Sequence, residues 1–277
     1  MRHPARTLLL GGFAATALLA LAVGVWLHAA PEPIERTAEA LPLPPESPRL
    51  ADSPDMDRCL GLLRTNPEEA RSFAASWTER GSTEGAQHCG ALAMLALGDA
   101  SRAAERLEAI AARSLAGSTA RSAVFAQATQ AWLLAGQPNR AFASATLALT
   151  LAPDDADLLI DRAVTLGNLG RYAEAVMDLD RALSVEPGRA EALVFRAAAW
   201  RHMDRADPAR RDVERALEIA PDNAEALLER GILRQLVGDS EGARMDWERA
   251  VEIAPGSATS DLALQNLALN EAGPFRR

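Results

Sequence analysis

Apolar residues in the second half of the chain recur at helical spacing, in segments that come in pairs. In the segment Ala156–Leu169 they return every three to four residues, and Gly170 follows as a residue type that commonly ends a helix. A second amphipathic run covers Arg171–Val185 and stops before Pro187, which cannot continue a helix. The pattern predicts two helices joined by a tight turn.

The same helix pair returns with a period of 34 residues. Three separate columns carry this period over four copies: Pro153, Pro187, Pro221 and Pro255; Ala141, Ala175, Ala209 and Ala243; and Ala148, Ala182, Ala216 and Ala250. The turn between the helices holds Gly136, Gly170 and Gly238, with Asp204 in the remaining copy. Each pair leaves an apolar side exposed until a neighbour stacks on it, so the pattern predicts an all-α solenoid.

The run Ala163 … Gly170-Arg171-Tyr172 … Ala175 … Ala182-Leu183 … Pro187 resembles the tetratricopeptide repeat. The resemblance covers 122–255, in copies at 122–155, 156–189, 190–223 and 224–257, and implies a right-handed α-solenoid. Four positions depart from the family pattern: Thr129 replaces Gly or Ala, Asp204 replaces a turn Gly, and Ala206 and Ser240 replace a turn Tyr.

Both flanks of the four copies are also predicted to be helical. The segment 55–121 keeps the helix-pair rhythm with weaker columns, which predicts two further divergent pairs. The segment 258–271 resembles the capping helix that ends such arrays. Its expected apolar side is formed by Leu262, Leu264, Leu267 and Leu269. We therefore expect thirteen helices after the N-terminal region.

The first thirty residues predict a membrane segment. Leu8–Leu27 is a run of twenty uncharged residues, long enough to cross a hydrocarbon core of about 30 Å. Arg2 and Arg6 precede the run and Glu32 follows it, so the positive-inside rule keeps the N-terminus cytoplasmic and the repeats outside. The alternative is a cleaved signal peptide, which would release a soluble periplasmic protein. The Pro-rich segment 31–54 is predicted to be an extended linker.

Composition excludes several classes of function. All 29 basic residues are Arg, which removes a lysine Schiff base and the P-loop lysine, and the net charge of −9 argues against nucleic acid as a partner. Two Cys and four His are too few to favour a zinc cluster. No Gly-rich phosphate loop or nucleophile motif occurs. We therefore expect no enzyme activity, cofactor or metal.

Cys59 and Cys89 fall on the predicted first and third helices, which are neighbours in an array of antiparallel helices. Outside the cytoplasm this placement favours a disulfide. A bond closing a loop of about 30 residues would stabilise the divergent end by about 3.5 kcal/mol in the chain-entropy model. Two buried free thiols are the alternative.

Arg and Asp form two further columns, sixteen residues apart: Arg162 and Asp178, Arg196 and Asp212, and Arg230 and Asp246. One interpretation is a ladder of cations that grips an acidic ligand in the groove. The other is an ion pair between the two helices of each repeat, since a carboxylate matches the fork of the guanidinium. The register of three pairs favours the structural interpretation.

The resemblance implies that the concave groove binds extended peptides or helices. Carried over by position, its lining residues are Asp157, Ile160, Asp161, Val164 and Asn168; Glu191, Val194, Phe195, Ala198, Arg201 and His202; and Glu225, Leu228, Glu229, Ile232, Gln235 and Leu236. Where relatives that hold a C-terminal carboxylate carry Lys, Arg or Asn, these positions are apolar or acidic, which argues against that function. An apolar floor with an acidic margin suits a ligand with apolar anchors and basic residues. Packing within the superhelix is the alternative.

These features together predict a membrane-anchored adaptor, held at the outer face of a bacterial inner membrane, that docks other envelope proteins. A structural protein that assembles with itself is the alternative, and it would require an apolar outer face on the last helix.

Overall fold

The computed structural model describes residue 50 and residues 53–81 and 84–272, and within them the chain forms thirteen α-helices and no strand. The helices are α1 (Pro54–Thr65), α2 (Pro67–Glu79), α3 (Glu84–Ala96), α4 (Ala100–Arg113), α5 (Ser118–Leu134), α6 (Pro138–Leu151), α7 (Ala156–Asn168), α8 (Tyr172–Val185), α9 (Ala190–His202), α10 (Ala206–Ile219), α11 (Ala224–Leu236), α12 (Ser240–Ile253) and α13 (Ala258–Ala272). The predicted anchor at 1–30 and nearly all of the linker lie outside the described residues. None of the described helices has the length and apolarity needed to cross a membrane.

Local chemistry explains where the helices begin and end. The Asp155 side chain caps α7 by accepting a hydrogen bond from the Leu158 N–H at 3.1 Å, and Asn223 caps α11 in the same way. After α7 the turn needs a left-handed residue, which Gly170 supplies at φ +71°. Asp204 takes the same conformation after α9, at φ +57°. The turn is therefore preserved in the copy that lacks the glycine.

The helices pack as consecutive antiparallel pairs, α1/α2 to α11/α12, followed by α13. The first helices of successive pairs contact one another from α5 to α13, more closely than the second helices do. This asymmetry places the first helices on the inner side of the array and the second helices on the outer side. The helix α5 has seventeen residues and begins at Ser118, four residues before the predicted start of the first copy.

Each repeat places one residue from each of its two helices in the core, again sixteen residues apart. The pairs are Thr129 with Ala145, Ala163 with Leu179, Ala197 with Val213, and Gly231 with Trp247, and all except Gly231 are among the buried hydrophobic or polar residues of the core. A Cβ added to Gly231 would overlap the Trp247 indole ring. The largest partner therefore faces the one residue without a side chain, which keeps the packed volume balanced.

A disulfide joins the first and third helices. Cys59 on α1 and Cys89 on α3 are bonded with an S–S distance of 2.00 Å and a Cα–Cα distance of 6.0 Å, and both are fully buried. The alternative of two free thiols is therefore not what the structure contains. The bond links the first divergent pair, α1/α2, to the second, α3/α4, in the region where the sequence matches the repeat pattern least.

The predicted packing face of α13 is correct only at Leu267, which is half-buried and packs against the core. Leu262, Leu264 and Leu269 are 49%, 50% and 60% exposed, while Ser260 and Ala263 are buried against the preceding pair. The helix α13 occupies the place of a first helix, one period after α11. Its third and sixth repeat positions therefore face the array, and these positions hold Ser260 and Ala263. Three leucines are left on the surface.

Candidate functional site

The Arg and Asp columns form ion pairs within each repeat. Each guanidinium donates two hydrogen bonds to one carboxylate: 2.7 and 2.6 Å for Arg162 to Asp178, 2.8 and 2.7 Å for Arg196 to Asp212, and 2.9 and 2.6 Å for Arg230 to Asp246. The aspartates are only 6%, 7% and 3% exposed. These arginines are therefore committed to joining the two helices of their repeats, and they do not form a ladder of cations for a ligand.

Three of the predicted groove residues are not accessible. Ile160, Val194 and Glu229 are 3%, 5% and 5% exposed, and the first helices that carry them contact the first helices of adjacent repeats. The prediction that these three side chains line an accessible groove is therefore wrong, although it holds that they lie on first helices.

Arg201 and Glu229, both predicted to contact a ligand, instead contact each other. The Arg201 guanidinium donates to the two Glu229 carboxylate oxygens at 2.6 and 3.2 Å, which joins α9 to α11. Because the Glu229 carboxylate is buried, the pair is a structural link between repeats. Arg201 is consequently not a cation that the groove offers to an acidic ligand.

Five of the predicted groove residues line a pocket: Val164, Asn168, Phe195, Ala198 and His202. It lies on the inner side of the array, where α7, α8 and α9 meet, and has a volume of about 250 Å³. Its wall is apolar apart from three polar side chains, and is lined by Ala163, Val164, Gly167, Asn168, Tyr172, Ala175, Leu179, Phe195, Ala198, Ala199 and His202. The pocket exists because small residues of all three helices line it, so that no side chain of the chain itself fills the space.

An aromatic pair forms one side of the pocket. The rings of Tyr172 and His202 are stacked at a centroid distance of 4.5 Å and an interplanar angle of 2°. Burial lowers the pKa of His202 and the adjacent Arg201 lowers it further, so the imidazole is neutral at pH 7. The pair therefore presents a flat, uncharged surface to a ligand.

A partly buried carboxylate lies one helical turn from the pocket. Burial, together with the charges of Asp157 and Glu191, raises the pKa of Asp161 to about 7, while a hydrogen bond with Gln130 acts to lower it. Asp161 precedes the pocket residue Val164 by three positions on α7. Within the described residues, no arginine forms an ion pair with Asp161. A positive charge placed here would relieve the repulsion among these carboxylates.

The acidic side of the groove carries more negative than positive charge. Arg189 pairs with Asp157 and, at 3.4 Å, with Glu191, so it neutralises only part of this group. Glu225 extends the acidic side to α11, and burial together with the charge of Glu191 raises its pKa. The groove thus combines an apolar pocket with an acidic margin that is not fully neutralised.

The apolar floor continues from the pocket towards the last helix. Leu228 and Ile232 on α11 are half-buried, while Gln235 and Leu236 on the same helix are exposed. On α13 the same repeat positions place Leu262 and Leu269, which are exposed. A ligand that begins in the pocket can therefore follow apolar side chains over three first helices.

Sequence reasoning missed three residues that shape the site: Tyr172, Gln130 and Arg189. Tyr172 belongs to the turn signature of the repeat, and was read only as a structural residue. Gln130 holds the repeat position of Val164 and Ala198, but the predicted groove did not include the first copy, whereas Arg189 lies outside the groove positions. Only Arg189 could have been predicted, because acidic residues flank it at 186 and 191. Its guanidinium pairs with both of these carboxylates and with Asp157.

Comparison with known proteins identifies the fold. Residues 156–189 match the tetratricopeptide repeat family model, and no curated protein matches the chain in sequence. A thermophilic TPR protein of Thermus thermophilus is 18% identical with a TM-score of 0.56, over 69% of this chain and all of its own, 100%. YrrB, a TPR protein with an unusual peptide-binding site, is 19% identical with a TM-score of 0.52, over 64% of this chain and 91% of its own. At these identities the likeness establishes the fold alone.

Proposed function

We propose that this protein, which has the tetratricopeptide repeat fold, is a non-catalytic adaptor that docks a segment of another protein in its concave groove. An apolar side chain of the partner enters the pocket between α7 and α9, and a basic side chain lies beside Asp161. The pocket carries this proposal, because it is apolar, open to the inner side and adjacent to a carboxylate that has no cationic partner in the described part of the chain.

The energetics fit a short linear segment. Burying one aliphatic or aromatic side chain contributes about 1.5–3 kcal/mol to the free energy of binding. A hydrogen bond to a charged group contributes about 1.5–3 kcal/mol more. Together these contacts are too weak for stable binding, so the segment must also use the apolar floor along α11 and α13. A helix or an extended peptide with a second apolar anchor satisfies this requirement.

The N-terminal sequence supports a location at the membrane. The uncharged run Leu8–Leu27, with arginines before it and glutamates after it, favours a single-pass anchor in a bacterial inner membrane with the repeats in the periplasm. The Pro-rich linker gives the repeats reach while it keeps their concentration high near the bilayer. Other envelope proteins are then the partners. Cleavage of the same run as a signal would leave a soluble periplasmic adaptor.

Binding of short labelled peptides tests the groove directly. A peptide with a central Leu-Arg-Arg is expected to bind the wild type, and one with Leu-Glu-Glu is not. Phe195→Glu, which places a charge in the pocket wall, is expected to abolish binding with unchanged helical content. Met177→Glu is the matched control, since Met177 is 70% exposed on the outer helix α8.

Fluorescence anisotropy measures the peptide affinity, and a crosslinking pull-down from envelope fractions measures partner recovery. Equal peptide binding and partner recovery by wild type and Phe195→Glu would contradict the groove assignment. Loss of both in Met177→Glu as well would assign binding to the outer surface.

One observation favours the second candidate function, self-assembly. The last helix exposes Leu262, Leu264 and Leu269, as a protein that stacks with copies of itself would require. Asp261, Gln265 and Glu271 interrupt this surface, so it is less continuous than the apolar floor of the groove.

A further inference from the structure

The chain itself contains a segment with the chemistry that the groove selects. Residues 273–277, beyond the described part of the chain, read Gly-Pro-Phe-Arg-Arg, an aromatic side chain followed directly by two cations. The linker 31–54 is a poorer match, because Glu32, Glu35, Glu39 and Glu46 give it the same sign of charge as the groove. Charge complementarity therefore selects the C-terminal segment over the linker.

The spacing of the pocket and the carboxylates suits this segment. On α7, Asp161 lies about 4.5 Å along the helix axis from Val164, and on α9, Glu191 lies about 6 Å from Phe195, at 1.5 Å per residue. Adjacent residues of an extended chain are about 3.3–3.6 Å apart. With Phe275 in the pocket, Arg276 and Arg277 can therefore reach the positions of Asp161 and Glu191.

The segment cannot reach the pocket of its own chain. Phe275 is three residues from Ala272, the last residue of α13, and three extended residues span at most about 11 Å. Between α13 and the pocket lies α11, and packed helix axes are about 8–10 Å apart, so α13 is about 20 Å from α9. A different copy of the chain must supply the segment.

We propose that residues 273–277 of one copy bind the concave groove of a second copy, with Phe275 in the pocket between α7 and α9 and the two arginines beside Asp161 and Glu191. This inference rests on the proposed function of the groove and identifies the segment that the groove binds. It joins the end of one array to the inner surface of another, which is a heterologous contact and can extend to further copies.

Photo-crosslinking of the full chain in detergent tests the proposal. Phe275 is replaced by the photoreactive p-benzoylphenylalanine, and this chain is mixed with isotopically labelled chains that keep Phe275. Crosslinks from residue 275 to α7 or α9 of a labelled chain are expected. Crosslinks confined to the same chain, to the outer helices, or absent altogether would overturn the proposal.

Reversing the charges of the two arginines provides a second test of the proposal. In the photoreactive chain, Arg276→Glu with Arg277→Glu is expected to lower the yield of the interchain crosslink at least tenfold, because two attractive contacts become repulsive. The control is Arg215→Glu, since Arg215 is exposed on the outer helix α10 and, among the residues that the structure describes, pairs only with Glu218. An unchanged yield in the double variant, or an equal loss in the control, would contradict recognition of these arginines.

The labelled Leu-Arg-Arg peptide separates this proposal from the general function. If the peptide binds the groove but residue 275 gives no interchain crosslink, self-docking is wrong while the adaptor function stands. If the peptide also fails to bind, the groove assignment itself is wrong. Competition between the peptide and the interchain crosslink is the expected result.

Discussion

The two ends of the array stabilise their helix pairs by different chemistry. In the regular repeats from α7 to α12, a bidentate Arg–Asp pair joins the two helices of each copy at the same register. In the divergent region from α1 to α4, a disulfide links α1 to α3, and a 2.6 Å hydrogen bond between His88 and Gln127 links α3 to α5. One region repeats a single contact, and the other uses individual contacts.

This difference follows from what each region can offer. A repeating contact requires both the Arg and the Asp column, and neither extends before the copy 156–189, since the first copy holds Ala128 and Ser144 at these positions. A covalent bond needs only two neighbouring side chains, so it can join helices that lack the repeat pattern. The irregular region is therefore predicted to depend on a few strong contacts and the regular region on many equivalent ones.

Loss of the disulfide is expected to have the largest effect on stability. Cys59→Ser with Cys89→Ser should lower the free energy of unfolding by about 2–5 kcal/mol, because the unfolded chain gains entropy when the loop is opened. Hydrogen exchange should accelerate in α1 to α4 and stay unchanged in α7 to α12. Uniform acceleration through all helices would show that the two regions do not differ in this way.

Breaking one ion pair should have the next largest effect. Arg196→Met leaves the buried Asp212 carboxylate without its partner, and should lower the free energy of unfolding by about 3 kcal/mol. The matched control is Arg215→Met, which removes an exposed arginine from the neighbouring helix and should cause no measurable loss. Chemical denaturation measures both. Equal effects would show that the repeated pair is not what joins the helices of this copy.

Gly231→Ala tests the balance of volumes between paired helices. The added Cβ would overlap the buried Trp247 ring, and should cost about 1–3 kcal/mol of stability. The control is Gly188→Ala, where an added Cβ meets nothing within 4 Å and φ is not positive. Trp247→Leu should be less destabilising in the Gly231→Ala background than alone, and additive effects in this double-mutant cycle would contradict direct packing.

Asp161 should make the free energy of unfolding depend on pH, and its substitution should have the smallest effect of the four predicted here. The unfolded chain releases this proton near pH 4, as an ordinary Asp does, whereas burial in the folded groove holds it to a pKa of about 7. The unfolded state binds fewer protons between these values, so this group lowers stability as the pH rises through them. Asp161→Asn should therefore stabilise the protein by about 1 kcal/mol at pH 8, since solvent at the groove reduces the full penalty.

Thermal unfolding at pH 5 and pH 8 measures this effect. The difference between Asp161→Asn and wild type should be larger at pH 8 than at pH 5. Asp154→Asn, at an exposed carboxylate paired with Arg181, is the control and should show no such change. A constant difference at both pH values would contradict the raised pKa.

The sequence predicts the helices well because the repeat period is encoded many times over. Columns of proline, alanine and glycine each specify the helix ends and the close contacts independently, so Asp204 could replace a glycine without hiding the pattern. The sixteen-residue register of Arg and Asp likewise indicates an ion pair, since that spacing joins two antiparallel helices of one repeat.

Which of the predicted groove side chains are exposed was harder to predict. Ile160 and Phe195 both occupy groove-facing positions, yet Ile160 is buried against a neighbouring helix while Phe195 lines the pocket. Which of them is covered depends on how closely adjacent first helices approach, and that distance is set by tertiary packing. The stacking of Tyr172 on His202 joins residues thirty positions apart, and no periodic pattern encodes it.

Hydrogen exchange of the full chain, with and without the Leu-Arg-Arg peptide, tests most directly whether the pocket is the binding site. The account predicts slower exchange in α7 and α9, around the residues from Asp161 to Asn168 and from Phe195 to His202, and no change in α1 to α4. Protection confined to the outer helices, or spread evenly over both ends of the array, would contradict it.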